Sequence, residues 1–376
     1  MPFNGIKNIV FEGGGVKGLA YIGALESLEK TEVINSIKRV GGTSAGAIAA
    51  LLVGLGISSS KMKEFLNEND IRTLEDDDVG GIRDTIRLLT DYGWNKGEKV
   101  REWIGKAIVH ATEDINVTFR DIKKMQEKGK KYKDMYFVGT NLSTHSFEFY
   151  CYELTPDTKL IDAVQISMSI PLFYPPKTDE EENYYVDGGV LMNYPIRLFD
   201  EEDFIDKLYE EAFFRKLNET LIPPEYTEAN KDLLEVGTVV NRNLLEVGTV
   251  VNKEAKKKSK TIITNITGSK YIPNPETLGF RLDSQDEINL FYKKEVVVNE
   301  INNFHDFTKS LIRTLKEYQN HTHLNDIDIK RTIFLDVTGV KATDFDITPE
   351  KKEELIFKAN EATTEYLKNK GVLVQR

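Results

Sequence analysis

Within its first 56 residues the chain twice runs from a short apolar segment through glycines into a helical pattern. Lys7 to Phe11 (KNIVF) is a β-branched run that ends in a glycine cluster, Gly13-Gly14-Gly15-Val16-Lys17-Gly18. From Gly18 to Lys30, apolar residues at Leu19, Ile22, Leu25 and Leu28 recur at every third position, which suits one face of a helix. Ile37 to Val40 reads as a second strand, Gly41 to Ser44 as a turn, and Ala45 to Gly56 as a second helix. Strand, turn and helix repeated in this order form parallel strands covered by crossover helices. The expected fold is α/β, three layers α/β/α around a mostly parallel central sheet.

The same patterns continue downstream. Strands are expected at Asp134 to Asn141, Ser146 to Glu153, Tyr184 to Asp187, Thr261 to Ile266 and Thr332 to Val337. Helices are expected around Lys96 to Val109, Asp162 to Ser169, Asp286 to Tyr318 and Pro349 to Leu367. The closing helix–strand–helix order returns the C-terminus to the sheet, so residues 1–376 are read as one domain. Between 200 and 260 the composition turns highly charged, and LLEVGTVVN at Leu233–Asn241 recurs at Leu244–Asn252. That offset of 11 residues is three helical turns, but two copies do not build a solenoid. A tandem duplication in a surface insertion accounts for it; an amphipathic arm using its Leu/Val stripe and the following KKKSK is the alternative.

Bulk properties exclude several classes. A formal net charge of −11 argues against a nucleic-acid binder that relies on a general positive field. The single cysteine, Cys151, permits no intramolecular disulfide and fits a reducing compartment. No basic segment followed by a long apolar run opens the chain, and the longest apolar run, Ala47 to Ile57, is about half of a membrane span.

Chemistry concentrates at the glycines. Gly42-Thr43-Ser44-Ala45-Gly46 reads G-x-S-x-G, the strained strand-to-helix turn that presents a serine hydroxyl. The Gly13–Gly18 cluster, between a strand and a helix, offers backbone N–H groups to negative charge. It fails as a phosphate-binding P-loop because Leu19-Ala20 follow Gly18. Gly13, Gly15 and Gly18 fit a dinucleotide fingerprint, but the second strand ends in Val40-Gly41-Gly42-Thr43-Ser44 with no acid to hold a ribose. An oxyanion-binding loop facing a nucleophilic serine explains both glycine clusters with one mechanism.

A nucleophilic serine needs a base. None of the five histidines, His110, His145, His305, His321 and His323, lies in a short motif of small or turn residues. Asp187, in Tyr184-Tyr185-Val186-Asp187-Gly188-Gly189-Val190, ends a short strand and runs into two glycines, so its carboxylate can project from a tight turn. An aspartate near its reference pKa of about 3.9 is a weak base, so its surroundings or the oxyanion loop must supply the difference.

EGGGVKG, GTSAG and DGG in this order resemble the patatin-like phospholipase family, and ISMSIPLFYPPK, NYP, NPETLGFRLD and VKATDFDIT are similar to its bacterial members. The resemblance covers nearly the whole chain, with 200–260 its least similar part. It implies a Ser–Asp dyad in place of a triad: Ser44 as nucleophile, Asp187 as general base, and Gly14 and Gly15, with Gly13, as oxyanion donors. Lys17 stands where the family has Arg or Lys and fixes the loop, while Gly18, Gly42, Gly46, Gly188 and Gly189 support the motifs. It also implies hydrolysis of fatty-acyl esters of phospholipids or lysophospholipids without calcium or any other metal. Ile170, Leu172, Phe173 and Tyr174 are candidate acyl-chain contacts and equally candidate core residues. The acidic run Glu75-Asp76-Asp77-Asp78 lacks the spacing of a calcium loop and reads as a solvated turn.

Such an enzyme meets a membrane surface. Two basic runs stand out: Lys123-Lys124 through Lys128, Lys130, Lys131 and Lys133, and Lys256-Lys257-Lys258 with Lys260. Each singly reads first as a solvated face. Some bacterial members are injected effectors silent until a partner protein activates them. An activating protein and export by a specialised secretion system therefore stand beside a cytoplasmic or peripheral-membrane location. The rival expectation is a catalytically silent lipid- or partner-binding protein on the same scaffold.

Overall fold

The computed structural model describes residues 5–68, 97–205, 273–289 and 324–372, apart from the single positions 32, 172, 286, 325 and 343. The chain divides into two compact units. One comprises Met1–Ser143, Phe147–Ile196 and Pro275–Arg376; the other comprises Thr144–Ser146 and Arg197–Asn274.

Among the described residues the larger unit is built on a sheet of eight strands: β1 Asn8–Phe11, β2 Arg39–Gly42, β3 Asp134–Asn141, β4 Ser146–Tyr150, β5 Lys177–Thr178, β6 Tyr184–Asp187, β7 Thr277–Asp283 and β8 Thr332–Asp336. Strand order is β5-β6-β3-β2-β1-β7-β8, with β4 also paired to β3. β3, β2, β1, β7 and β8 run parallel, and β6 and β5 continue the sheet antiparallel. This mostly parallel sheet, flanked by helices, is the α/β architecture expected from the alternating pattern.

β1 is central and wholly buried, so its sequence NIVF carries no polar alternation. Phe11 stacks on Phe280 of β7 at 5.4 Å and meets Tyr21 edge-on at 5.0 Å. Burying such a side chain contributes about 1.5–3 kcal/mol. The helix Ala45–Gly54 (AGAIAALLVG) is apolar on nearly every side and correspondingly buried. Helix Ala20–Glu29 crosses the C-terminal helix Pro349–Asn369 so closely that a Cβ on Gly23 would lie 1.8 Å from the Ile356 carbonyl oxygen. The Ser27 hydroxyl donates to the Asn360 carbonyl at 2.9 Å across this crossing. The C-terminus therefore returns to the sheet, as its pattern suggested.

In the smaller unit, Asn274 donates its side-chain amide to the Phe199 and Phe204 carbonyls and its N–H to Asp200. The tandem repeat, the Lys256–Lys260 run, Glu75–Asp78, Leu172, His305, His321, His323 and the expected strand at 261–266 lie outside the described residues, as does nearly all of the expected helix 286–318.

Some expected bounds shift, and several elements, among them Ser59–Glu68, Phe119–Glu127 and β7, were not anticipated. β2 begins and ends two residues later than Ile37–Val40, because Gly41 and Gly42 extend the strand. The first helix begins as a 3-10 turn at Gly15–Leu19. Helix Phe119–Glu127 is charged but opens with a capping box between Thr118 and Asp121. β7 is buried at all seven positions although TLGFRLD contains a glycine and two charges.

Candidate active site

β2 ends at Gly42 and the helix begins at Ala45, leaving Thr43 and Ser44 to turn the chain. Ser44 takes φ 55° and ψ −125°, a positive φ that non-glycine residues rarely adopt. Such strain persists only where the surroundings fix it, and costs on the order of 1–3 kcal/mol. Here the Ser44 N–H donates to the Ser167 hydroxyl at 3.0 Å, and the Ser44 carbonyl accepts from Ala47 at 2.8 Å. The flanking glycines are required by space. A Cβ on Gly42 would lie 2.2 Å from the Gly46 carbonyl oxygen, and one on Gly46 would lie 2.4 Å from that of Phe11. Ser44 is thus held at a helix N-terminus, where the helix dipole favours developing negative charge.

The glycine loop follows β1, the strand beside β2. Gly13 packs on the serine: a Cβ there would lie 3.1 Å from Ser44 Cβ. Gly13 donates its N–H to the Asn193 carbonyl at 3.0 Å, Val16 to Ala342 at 2.9 Å and Lys17 to Gly14 at 3.2 Å. Among the described residues, the N–H groups between them, of Gly14 and Gly15, take no hydrogen bond. Gly15 has φ 55°, and a Cβ there would lie 2.0 Å from the Ala342 carbonyl oxygen. Gly18 lets this turn meet the serine helix, since its Cβ would come within 2.9 Å of Ala45 Cβ.

Asp187 ends β6, opposite Gly139 of β3, while Gly42 of β2 is opposite Phe137. Ser44 lies two residues past Gly42, as Gly139 lies two past Phe137, so the registers bring the serine turn and the aspartate to one level of the sheet. Asp187 Oδ1 accepts the Gly189 N–H at 2.6 Å, and the Asp187 N–H donates to the Ser169 carbonyl at 2.8 Å. Gly188 faces the Val138 carbonyl oxygen, 2.4 Å from where a Cβ would stand. Both Ser44 and Asp187 are buried, each with 4% exposure.

Sequence reasoning did not find the charged cluster behind the loop. Glu12 accepts from the Leu282 N–H at 2.7 Å and from the Asn193 amide at 3.1 Å. Arg281 Nε lies 3.8 Å from Glu12 and 3.0 Å from Asp283. Burial pushes the Glu12 carboxyl up to about 8, against the opposing pull of Arg281 and Lys17. Burial also raises Asp283, again opposed by Arg281 and Lys17. Lys17 is thus one of the positive charges that oppose the effect of burial on these two carboxylates. The signal available in the sequence was the pair of charges in β7, whose buried positions include an arginine and an aspartate.

Other candidates fall elsewhere. His110 lines a groove with Leu55, Gly56 and Ile57, beyond the C-terminal end of the helix that starts after Ser44. His145 is an exposed turn residue. Cys151 is buried, and burial pushes its thiol up. Tyr174 is a core residue; Phe173 is half-buried and stacks on Phe345 at 5.7 Å, and Ile170 is half-buried. The first basic run lies at the far end of the sheet, because the Lys133 N–H donates to the Gly54 carbonyl at 2.8 Å. Gly54 closes the ten-residue helix that begins beside Ser44, a length of about 15 Å. Lys123 and Lys124 are paired with Asp134 and Asp121, and Lys128, Lys130 and Lys131 are exposed. Among the described residues no helix is long and apolar enough to cross a membrane.

A hydroxyl at a helix N-terminus, two available backbone N–H groups and a buried carboxylate at the same sheet level are the parts of an acyl-transfer site. The model of the family described as patatin-like phospholipase matches residues 9–200, which include both glycine motifs and Asp187. The uncharacterized protein YqhO of Bacillus subtilis is 34% identical over 206 residues, 51% of this chain and 66% of its own length. A probable lipid hydrolase, 463L of Invertebrate iridescent virus 6, is 26% identical over 193 residues, 50% of this chain and 62% of its own. These alignments thus take in about half of this chain and less than two thirds of each relative. Among solved structures, VipD of Legionella pneumophila shares the fold with a TM-score of 0.51 at 16% identity, over 97% of this chain and 67% of that one.

Proposed function

The chain belongs to the patatin-like phospholipase family, and from that premise we propose that it hydrolyses fatty-acyl esters of membrane lipids, as a phospholipase A or lysophospholipase, through a Ser44–Asp187 dyad. The observation that carries this reading is the Ser44 turn: a buried serine at positive φ, packed against a glycine loop whose Gly14 and Gly15 N–H groups take no hydrogen bond among the described residues.

On this reading Ser44 Oγ attacks the ester carbonyl while Asp187 accepts its proton. The carbonyl oxygen becomes an oxyanion, held by the Gly14 and Gly15 N–H groups and favoured by the dipole of helix Ala45–Gly54. Gly13 serves the loop as its anchor, because its N–H is given to Asn193. Collapse of the intermediate expels the alcohol, which takes the proton from Asp187. Water then attacks the acyl-enzyme with Asp187 again as base, releasing the fatty acid and restoring Ser44. No step calls for a metal. The half-buried Ile170 and Phe173, close in sequence to the Ser169 that anchors Asp187, are the proposed acyl-chain contacts.

The test is fatty-acid release from mixed phospholipid vesicles by wild type and Ser44→Ala, with EDTA, with and without a eukaryotic cell lysate. Release by wild type alone supports the reading. Release confined to wild type with lysate identifies a partner-activated enzyme, and silence in every sample favours the binding-protein alternative.

A further inference from the structure

Asn193 follows the Asp187-Gly188-Gly189 turn and, together with Met192, touches the segments that carry all three motifs. Its side-chain amide donates to the Gly13 carbonyl at 3.1 Å and to Glu12 Oε1 at 3.1 Å, while its own carbonyl accepts the Gly13 N–H at 3.0 Å. Because the Gly13 carbonyl can only accept, the amide nitrogen must face it. Both backbone polar groups of Gly13 therefore end on one residue. The amide oxygen fills the remaining space between the two glycine motifs. A Cβ on Gly13 would lie 2.4 Å from it and a Cβ on Gly189 would lie 2.8 Å from it. The preceding carbonyl, of Met192, accepts from the Thr43 hydroxyl at 2.9 Å, which ties the serine turn to the same two residues.

We infer that Asn193 is a positioning residue that sets the glycine loop at a fixed distance from the Asp187 turn and the serine between them. The inference rests on the reading of Gly14 and Gly15 as oxyanion donors. Tying down both polar groups of Gly13 fixes the direction of the next two N–H groups. Misplacing a catalytic donor by an ångström costs on the order of 100-fold in rate. On this inference Asn193 acts through the Gly13 loop, so its loss falls on the transition state and leaves ground-state binding intact. Glu12 supports it from behind, itself held by the Leu282 N–H of β7.

The test uses the full chain as wild type, Asn193→Ala, Asn193→Asp and Ser44→Ala, assayed on a soluble p-nitrophenyl acyl ester. Competent sites are counted by stoichiometric labelling with a fluorophosphonate, so that kcat is expressed per reactive serine. Asn193→Ala removes every side-chain contact. Asn193→Asp keeps the volume against Gly13 and Gly189 but loses the donor, and serves where the alanine variant does not fold. The inference predicts a fall in kcat per labelled site of about 10–100-fold with KM within about twofold of wild type. A kcat per labelled site within about twofold of wild type in a folded variant overturns it, as does a loss carried by KM. Hydrolysis by Ser44→Ala equal to wild type would instead remove the underlying reading, and the inference with it.

Discussion

The backbone N–H of Ser44 donates to the hydroxyl of Ser167 at 3.0 Å, across 123 residues of sequence. Two residues further on, the Ser169 carbonyl accepts the Asp187 N–H at 2.8 Å. One short segment, at the end of helix Leu160–Ser167, therefore holds the backbone of both proposed dyad members. Ser167→Ala leaves a buried N–H without a partner in a turn that is already strained, a loss of about 1–3 kcal/mol. We expect a lower melting temperature and a kcat reduced more than KM is raised. Unchanged melting and kinetics would show that the turn holds itself.

Gly15→Ala is expected to lower kcat/KM by about 100-fold or more. It adds a Cβ 2.0 Å from the Ala342 carbonyl oxygen at a position with φ 55°, so the loop must move. Gly56→Ala is the control, since Gly56 also has positive φ, 73°, but its Cβ would meet nothing within 4 Å. Its effect is expected on thermal stability alone. Equal kinetic losses in the two variants would contradict a special role for the loop.

Glu12 makes stability depend on pH in an assignable direction. Its folded pKa is raised by burial from 4.5 to about 8, so the folded chain binds this proton more tightly than the unfolded chain. Its contribution is most favourable below about pH 4.5, declines as pH rises through that window to about 8, and is level above it. Glu12→Gln keeps the shape without the ionisation. The melting temperature of the variant relative to wild type is predicted to climb from pH 5 to pH 8. A difference independent of pH would mean that Glu12 stays ionised in the fold.

Lys130→Glu with Lys131→Glu is expected to leave both soluble-ester and vesicle hydrolysis unchanged, at low and moderate salt. Both residues are exposed, but their loop joins the sheet at the end away from Ser44. A loss confined to vesicles and deepened by salt would make this end a docking surface after all.

The glycine motifs of the candidate site were legible because a tight turn or a close approach demands unusual residues at fixed places. Glycines at 15, 42, 46 and 188 stand where backbone approaches backbone, and those at 13, 14 and 189 where the Asn193 or Leu282 side chain packs too close for a Cβ. β3 and β6 were delimited to the residue, since both are short runs closed by turn residues. β7 was missed for a physical reason. Its Arg281 and Asp283 satisfy each other and Glu12 inside the core, so a buried strand presents a charged sequence. Ser167 and Asn193 were equally hidden, because a serine or asparagine that serves distant backbone looks like any polar loop residue until the fold brings its partner.

The most direct test of the central claim is to trap the nucleophile. Wild type and Asp187→Asn are treated with an alkyl fluorophosphonate, digested and mapped by mass spectrometry. The account predicts a single adduct on Ser44, formed more slowly by about 100-fold or more in Asp187→Asn. An adduct on another residue, or ester hydrolysis by a chain whose Ser44 stays unmodified, would contradict it.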